Sequence, residues 1–159
     1  MMRVACAFDH AGVPLRETVL KAVHEAGHEP LDLGTNDPAG GDDYPDHALA
    51  VARAVIEGEA ERGILVCGSG AGVAVAACKV PGIRCAMAHD TYTAHQCVEH
   101  DDVNVLALGA RVIGEAIAAD LVVAFCGAEF VGGEVGQERH ARRLGKVAKI
   151  EAEGLEAEL

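Results

Sequence analysis

The chain has 159 residues, half of them hydrophobic and only 3% aromatic, with 13 Lys and Arg against 25 Asp and Glu and a formal charge of −12. That length and apolar share suit one domain with a substantial core, built from Ala, Val, Leu and Ile rather than from rings. The negative balance argues against a binder of nucleic acid or of anionic membranes, and an anionic substrate would need basic residues concentrated locally.

Arg3 to Phe8 reads as a first strand ending in Asp9-His10-Ala11-Gly12. Its apolar run is too short for the hydrophobic region of a signal peptide and stops at Asp9. A helix is predicted over about 13–26, with Leu15, Val19 and Val23 as its inward stripe and Gly27 as its stop. Glu29 to Leu33 is a second strand. A polar loop follows through Asp42-Asp43-Tyr44-Pro45, and Asp46 is predicted to cap a helix from His47 to about Glu57. The third strand begins at Gly63 and ends at Cys67. Its glycine-rich turn runs Gly68-Ser69-Gly70-Ala71-Gly72, before a helix from Val73 to Val80. Pro81-Gly82 turns the chain into a fourth strand, Ile83 to Ala88. Asp90 or Thr91 caps a short helix to about Glu99, and His100-Asp101-Asp102 forms a polar loop before a fifth strand, Val103 to Leu108. After Gly109-Ala110-Arg111 comes a helix whose apolar stripe is Ile113, Ile117 and Leu121. Gly127 to Gly136 reads as a loop, and a basic helix over about 138–153 precedes an acidic tail.

Strands alternating with helices through short loops imply an α/β fold. The expectation is a Rossmann-like, doubly wound, parallel five-stranded sheet of order 2-1-3-4-5, with helices on both faces and a further helix at the carboxyl end. Strands 1 and 3 then flank the point where the winding reverses, and ligands bind at such points, outside the carboxyl ends of the strands. Asp9-His10 and Cys67-Gly68-Ser69 are thereby predicted to meet.

Cys67 ends a strand just ahead of a helix amino terminus, whose unpaired N–H groups favour an anion and a thiolate. Lowering a cysteine pKa by about one unit from roughly 8.5 raises its thiolate fraction near neutral pH about tenfold. Against this, a cysteine at a strand end is most often a small buried hydrophobe. The glycines run G-x-G-x-G, and Val73 stands where a dinucleotide fingerprint needs glycine, which weakens a nucleotide reading. The six cysteines form no C-x-x-C and fall largely in apolar runs, so reduced thiols and a soluble, cytoplasmic protein are expected. Arg139 and Arg143 lie four apart on one helical face, able to clamp a phosphate or merely to face solvent near a helix end. His100 falls in a helix-to-strand loop, at the wrong edge of its own sheet for the site, unless a neighbouring subunit completes that site. His89, His95, Cys97 and His100 match no familiar zinc spacing. His24, His28 and His47 read as surface residues.

Taken in order, Asp9-His10-Ala11-Gly12, Gly34-Thr35, Asp43-Tyr44-Pro45, Cys67 to Gly72, Ala77-Cys78-Lys79, Gly82-Ile83-Arg84, His100, Asn104-Val105-Leu106, Gly109-Ala110-Arg111 and Arg139-His140-Ala141-Arg142-Arg143 carry a resemblance over about residues 3–150. The chain resembles the ribose-5-phosphate isomerase B family, which also holds galactose-6-phosphate isomerases. That resemblance implies a cofactor-free, metal-free aldose–ketose isomerase acting on a phosphorylated sugar through a cis-enediolate, with D-ribose 5-phosphate as the expected substrate. Cys67 would be the base that moves a proton between C2 and C1, and Ser69 would shuttle one between O1 and O2. The N–H groups of Gly68, Gly70, Ala71 and Gly72 would form the anion hole. Asp9 and His100 are implied in ring opening and Tyr44 in shaping the sugar site, while His10, Arg111, Arg139 and Arg143 would hold the phosphate. The implied assembly is a homodimer, or a dimer of dimers, with His100 and the 138–153 helix serving a partner's site.

The sequence departs from the family pattern at three places: Asp101 takes a substrate-facing position usually held by Asn, Phe8 precedes Asp9 where a smaller residue is usual, and the loop 131–137 is longer. The alternatives are another aldose phosphate (erythrose 4-phosphate, allose 6-phosphate or galactose 6-phosphate) and a non-catalytic nucleotide-binding module. Carrying both halves of the expected site on one chain favours a homo-oligomer and a pentose.

Overall fold

The structure is a computed structural model and describes residues Met1–Leu159. Its strands and helices alternate along the chain as β1 (Arg3–Phe8), α1 (Arg16–Glu25), β2 (Glu29–Asp32), α2 (Tyr44–Ile56), β3 (Arg62–Cys67), α3 (Ala71–Ala77), β4 (Cys85–Met87), α4 (Thr91–Asp101), β5 (Val105–Gly109), α5 (Glu115–Gly127) and α6 (Glu138–Glu153). Every strand pairing is parallel, and β1 lies against β3 as the winding rule predicts.

One edge corrects the expected order 2-1-3-4-5. The sheet runs β2-β1-β3-β5-β4, so β5 pairs with β3 and β4 is outermost. The reason lies in burial. All five residues of β5 are buried, whereas β4 is three residues long and partly exposed throughout, a better edge than centre. The exchange also places α4. A right-handed connection that returns inward from β4 to β5 must cross on the face opposite α3. Accordingly α1, α4 and α5 cover one face, and α2 and α3 the other.

Side chains alternate between two cores, as strand geometry requires. Val4, Cys6, Phe8, Ile64, Val66, Leu106 and Leu108 pack under α1, α4 and α5 with Phe125. Ala5, Ala7, Leu65, Cys67, Val105 and Ala107 pack under α2 and α3, where Ala48, Ala52 and Ala77 let the helices sit close.

Element ends differ from expectation where a cap or a phase was misread. Helix α2 starts at Tyr44 with extended Asp43 as its N-cap, because Pro45 suits the first turn; Asp46 is already inside. Helix α4 continues to Asp101 and ends at Asp102 in the left-handed region, φ 50°, so His100 and Asp101 belong to a helix, not a loop. Extended Gly114 delays α5, leaving Ile113 outside it and Ile117 at 45% exposure, while Ala118, Leu121, Val122 and Phe125 form the inward stripe. Helix α6 has the expected bounds but buries only His140. All six cysteines are free, and no helix is long and apolar enough to cross a membrane.

Phe125 is fully buried, and the Arg62 guanidinium lies 5.3 Å from its ring centre. Phe125→Ala is therefore expected to cost about 3–5 kcal/mol in denaturant unfolding, against roughly 0.5 kcal/mol or less for Val75→Ala on the exposed face of α3.

Candidate active site

Three neighbouring strand ends build one cavity. Beyond β1, the Asp9 N–H donates to the Val66 carbonyl at 3.1 Å, and the Asp9 carboxylate accepts the Gly12 N–H at 2.9 Å. This holds Asp9 at 6% exposure against β3. Beyond β5, the N–H groups of Ala110 and Arg111 donate to the carbonyls of Cys67 and Gly68 at 2.9 and 3.0 Å. The corrected strand order matters here: with β4 next to β3, Arg111 would follow a strand about 10 Å from β3 rather than about 5 Å.

Between them lies the β3 turn. Gly70 takes φ 83°, a left-handed conformation open to glycine, and its N–H then donates to the Cys67 sulfur at 3.1 Å. Cys67 is 5% exposed yet lines the cavity, so its sulfur is screened without being sealed. Ser69 is exposed and its hydroxyl accepts the Ala71 N–H at 3.3 Å. The N–H groups of Gly68, Ser69 and Gly72 donate to no protein acceptor, which leaves them for a ligand. The β5 backbone crowds this turn: a methyl on Gly109 would stand 2.6 Å from the Ser69 carbonyl.

The cavity has a volume of about 380 Å³ and is lined by Asp9, His10, Ala11, Tyr44, Cys67, Gly68, Ser69, Gly72, Arg111 and Val112. Tyr44 reaches it from the first turn of α2, its ring 3.1 Å from where a methyl on Gly72 would lie, and the Arg111 guanidinium lies 3.4 Å from where one on Gly68 would lie. A thiol, a carboxylate, a hydroxyl, a phenol, an imidazole and a guanidinium thus surround a turn of free N–H donors. Such a site can take a proton from carbon, stabilise the resulting oxyanion and hold a small anionic ligand.

Of the residues expected at the site, Gly70 and Ala71 give their N–H groups to the Cys67 sulfur and the Ser69 hydroxyl rather than to a ligand. They, with His100, Asp101, Arg139 and Arg143, do not line this cavity. His100 and Asp101 end α4, at the opposite edge of the sheet from the strand carboxyl ends. The His100 ring accepts at Nδ1 from the Gln96 amide (2.8 Å) and stacks on His140 with centroids 4.1 Å apart. Burial, followed by the nearby His100 charge, pushes the His140 pKa down. Arg139 and Arg143 are exposed on α6, which packs on α4. His100, Asp101, Arg139 and Arg143 are therefore grouped on α4 and α6, away from the cavity.

Other contributors escaped sequence reasoning. Asp42 accepts from the rings of both His10 and His47, which corrects the surface reading of His47, now 14% exposed. His89 accepts the Gly109 N–H at Nε2 (3.0 Å), tying β5 to the start of α4. Asp42 lies 32 positions from His10 and 5 from His47, and His89 lies 20 from Gly109, with no spacing motif to announce them. His89, His95, Cys97 and His100 form no cluster that could hold a metal ion.

The profile of the ribose/galactose isomerase family matches residues 4–147. Ribose-5-phosphate isomerase B of Escherichia coli is 39% identical over 151 residues, 95% of this chain and 97% of that protein. D-erythrulose-4-phosphate isomerase of Pectobacterium atrosepticum is 40% identical over 134 residues, 84% of this chain and 88% of its own. The crystal structure of ribose-5-phosphate isomerase B from Mycoplasma genitalium with bound ribulose-5-phosphate superposes with a TM-score of 0.85 at 36% identity, covering 95% of this chain and 97% of that one.

Gly109→Ala is expected to destabilise the protein by about 1–3 kcal/mol in denaturant, because backbone rather than a mobile side chain meets the new methyl. Gly114→Ala, with nothing within 4 Å of its methyl, serves as the neutral control.

Proposed function

Because this chain belongs to the ribose/galactose isomerase family, we propose that it is an isomerase interconverting D-ribose 5-phosphate and D-ribulose 5-phosphate, with the cavity around Cys67 as one half of its active site. The observation that carries the reading is the meeting of Asp9-His10, Cys67-Gly68-Ser69 and Arg111 in one cavity of about 380 Å³. In this mechanism Asp9, with His100 from a second copy of the chain, opens the furanose. The Cys67 thiolate then removes the C2 proton, and the electron pair forms a C1–C2 double bond with charge on O1. The free N–H groups of Gly68, Ser69 and Gly72 stabilise that oxyanion, the costly feature of the intermediate. Ser69 carries a proton from O2 to O1, and the Cys67 thiol returns its proton to C1, leaving the ketone at C2. Gly70 donates to the sulfur at 3.1 Å, and a hydrogen bond to a charged group contributes about 1.5–3 kcal/mol, which favours the thiolate.

His10 and Arg111 hold the phosphate from one side. Arg139 and Arg143 hold it from the second copy, together with His100. Two features support a homodimer: the half-sites lie on opposite edges of one chain, and α6 buries a single residue while leaving Val147 and Ile150 about half exposed. Six free thiols suit a reducing, cytoplasmic setting. A tetrose phosphate is the second reading, favoured by the similarity to D-erythrulose-4-phosphate isomerase.

Assayed on ribose 5-phosphate, Cys67→Ala is expected to lose turnover by about a hundred- to ten-thousandfold while still binding the sugar phosphate. Unchanged kcat would remove Cys67 as the base, and faster turnover of erythrose 4-phosphate by the unaltered enzyme would select the tetrose. Inactive Cys67→Ala and inactive His100→Ala, co-refolded, are expected to recover about a quarter of the native activity, since half of randomly paired dimers then carry one intact site of two. No recovery would place Cys67 and His100 in one chain's site.

A further inference from the structure

A carboxylate with two imidazoles stands directly behind the cavity. Asp42 Oδ1 accepts both the backbone N–H of His10 (3.1 Å) and its ring Nδ1 (2.6 Å), while Oδ2 accepts from His47 Nε2 (2.6 Å). Asp42 and His47 are 22% and 14% exposed, and His10, which lines the cavity, is 41% exposed. Burial alone would raise the Asp42 pKa, but the hydrogen bonds from the His10 ring and backbone and from His47 outweigh it and hold the carboxyl below its usual range. An ionised carboxylate only accepts, so each imidazole turns an N–H towards it. For His10 that leaves Nε2 as the one ring nitrogen free for a ligand in the cavity.

We propose that Asp42 and His47 are positioning residues that fix the ring of His10 and keep its Nε2 protonated, so that it donates to the phosphate end of the substrate. This rests on the isomerase reading for the identity of the anion. The geometry carries it as follows. A neutral His10 with Nδ1–H on Asp42 would offer the cavity a lone pair at Nε2, which repels a phosphate oxygen. A second proton makes that nitrogen a donor, and a carboxylate 2.6 Å away favours the imidazolium. The charged and titratable groups around His10 are Asp9, Cys67, Tyr44 and Arg111 in the cavity, with Asp42 and His47 behind. Arg111 disfavours a second cation there, and Asp42 opposes that penalty. His47 occupies the other carboxylate oxygen, holding it to α2 and preventing Asp42 from turning to solvent. It also competes for the same negative charge, so one carboxylate fully compensates only one imidazolium, and an anion in the cavity draws that proton to His10.

The test reads the protonation of His10 directly. In protein labelled with carbon-13 in the histidine rings, with the His10 signal assigned through His10→Gln, Asp42→Asn is expected to lower the His10 titration midpoint by about one pH unit. The dissociation constant for inorganic phosphate should rise about tenfold near pH 7.5, and KM for ribose 5-phosphate should rise with it while kcat changes less than threefold. The loss should be larger at pH 8 than at pH 6. His47→Phe, which lets Asp42 turn to solvent, should lower the midpoint and weaken phosphate binding, and His47→Gln, which keeps an N–H donor for Asp42, should recover most of the loss. An unmoved His10 midpoint in both Asp42→Asn and His47→Phe overturns the proposal, as does a lowered midpoint with unchanged phosphate affinity. Both readouts stand if the sugar assay fails, so an error in the assigned substrate is told apart from an error in the positioning role.

Discussion

Hydrogen bonding that continues past the carboxyl ends of β1, β3 and β5 is the constraint on which the cavity depends. The ladder pairs Phe8 with Val66 and Cys67 with Gly109, and then runs on through Asp9 to Val66, Ala110 to Cys67 and Arg111 to Gly68. Three loops that would otherwise diverge are held level by backbone bonds, so the side chains they carry converge without depending on one another. Backbone bonding is insensitive to side-chain identity. The loops are thus free to hold acidic, basic and sulfur groups whose mutual repulsion and desolvation would not assemble them alone. The acidic character of the whole chain is countered in the cavity by His10 and Arg111.

The parts of the fold legible in the sequence were those fixed by local pattern. Apolar runs of four to six residues alternating with helical stripes gave the strands and the side-by-side placement of β1 and β3, and hence the meeting of Asp9 with Cys67. The order of the outer strands was not legible, because β4 and β5 are both short apolar runs. Which of them reaches the centre depends on how completely each can be covered by α4 and α5. The phase of α5 was misread for a related reason: Ile113, Ile117 and Leu121 keep helical spacing, but extended Gly114 breaks the helix between the first two.

At the site, residues carried by the strand-end motifs were found and those acting through space were not. His10 belongs to a recognisable turn, whereas Asp42 and His47 matter only because the loop after β2 folds back on that turn. His100 was read into a loop because Asp101 and Asp102 are poor helix formers in the last turn of a helix. The left-handed backbone of Asp102 is what lets α4 keep both His100 and Asp101 before stopping. Its carboxylate pairs with Arg84 at 2.7 Å, an anchor that local composition does not reveal.

The depth of the Cys67 sulfur has a consequence for redox chemistry. Disulfide exchange requires an approaching thiolate to line up with the sulfur it attacks, and Cys67, 5% exposed at the floor of the cavity, offers little room for that approach. Cys78, exposed at the end of α3, meets a bulky oxidant first. A filled cavity closes even that narrow route. Capping of Cys67 is therefore expected to be slower than capping of Cys78, and slower still with the cavity filled.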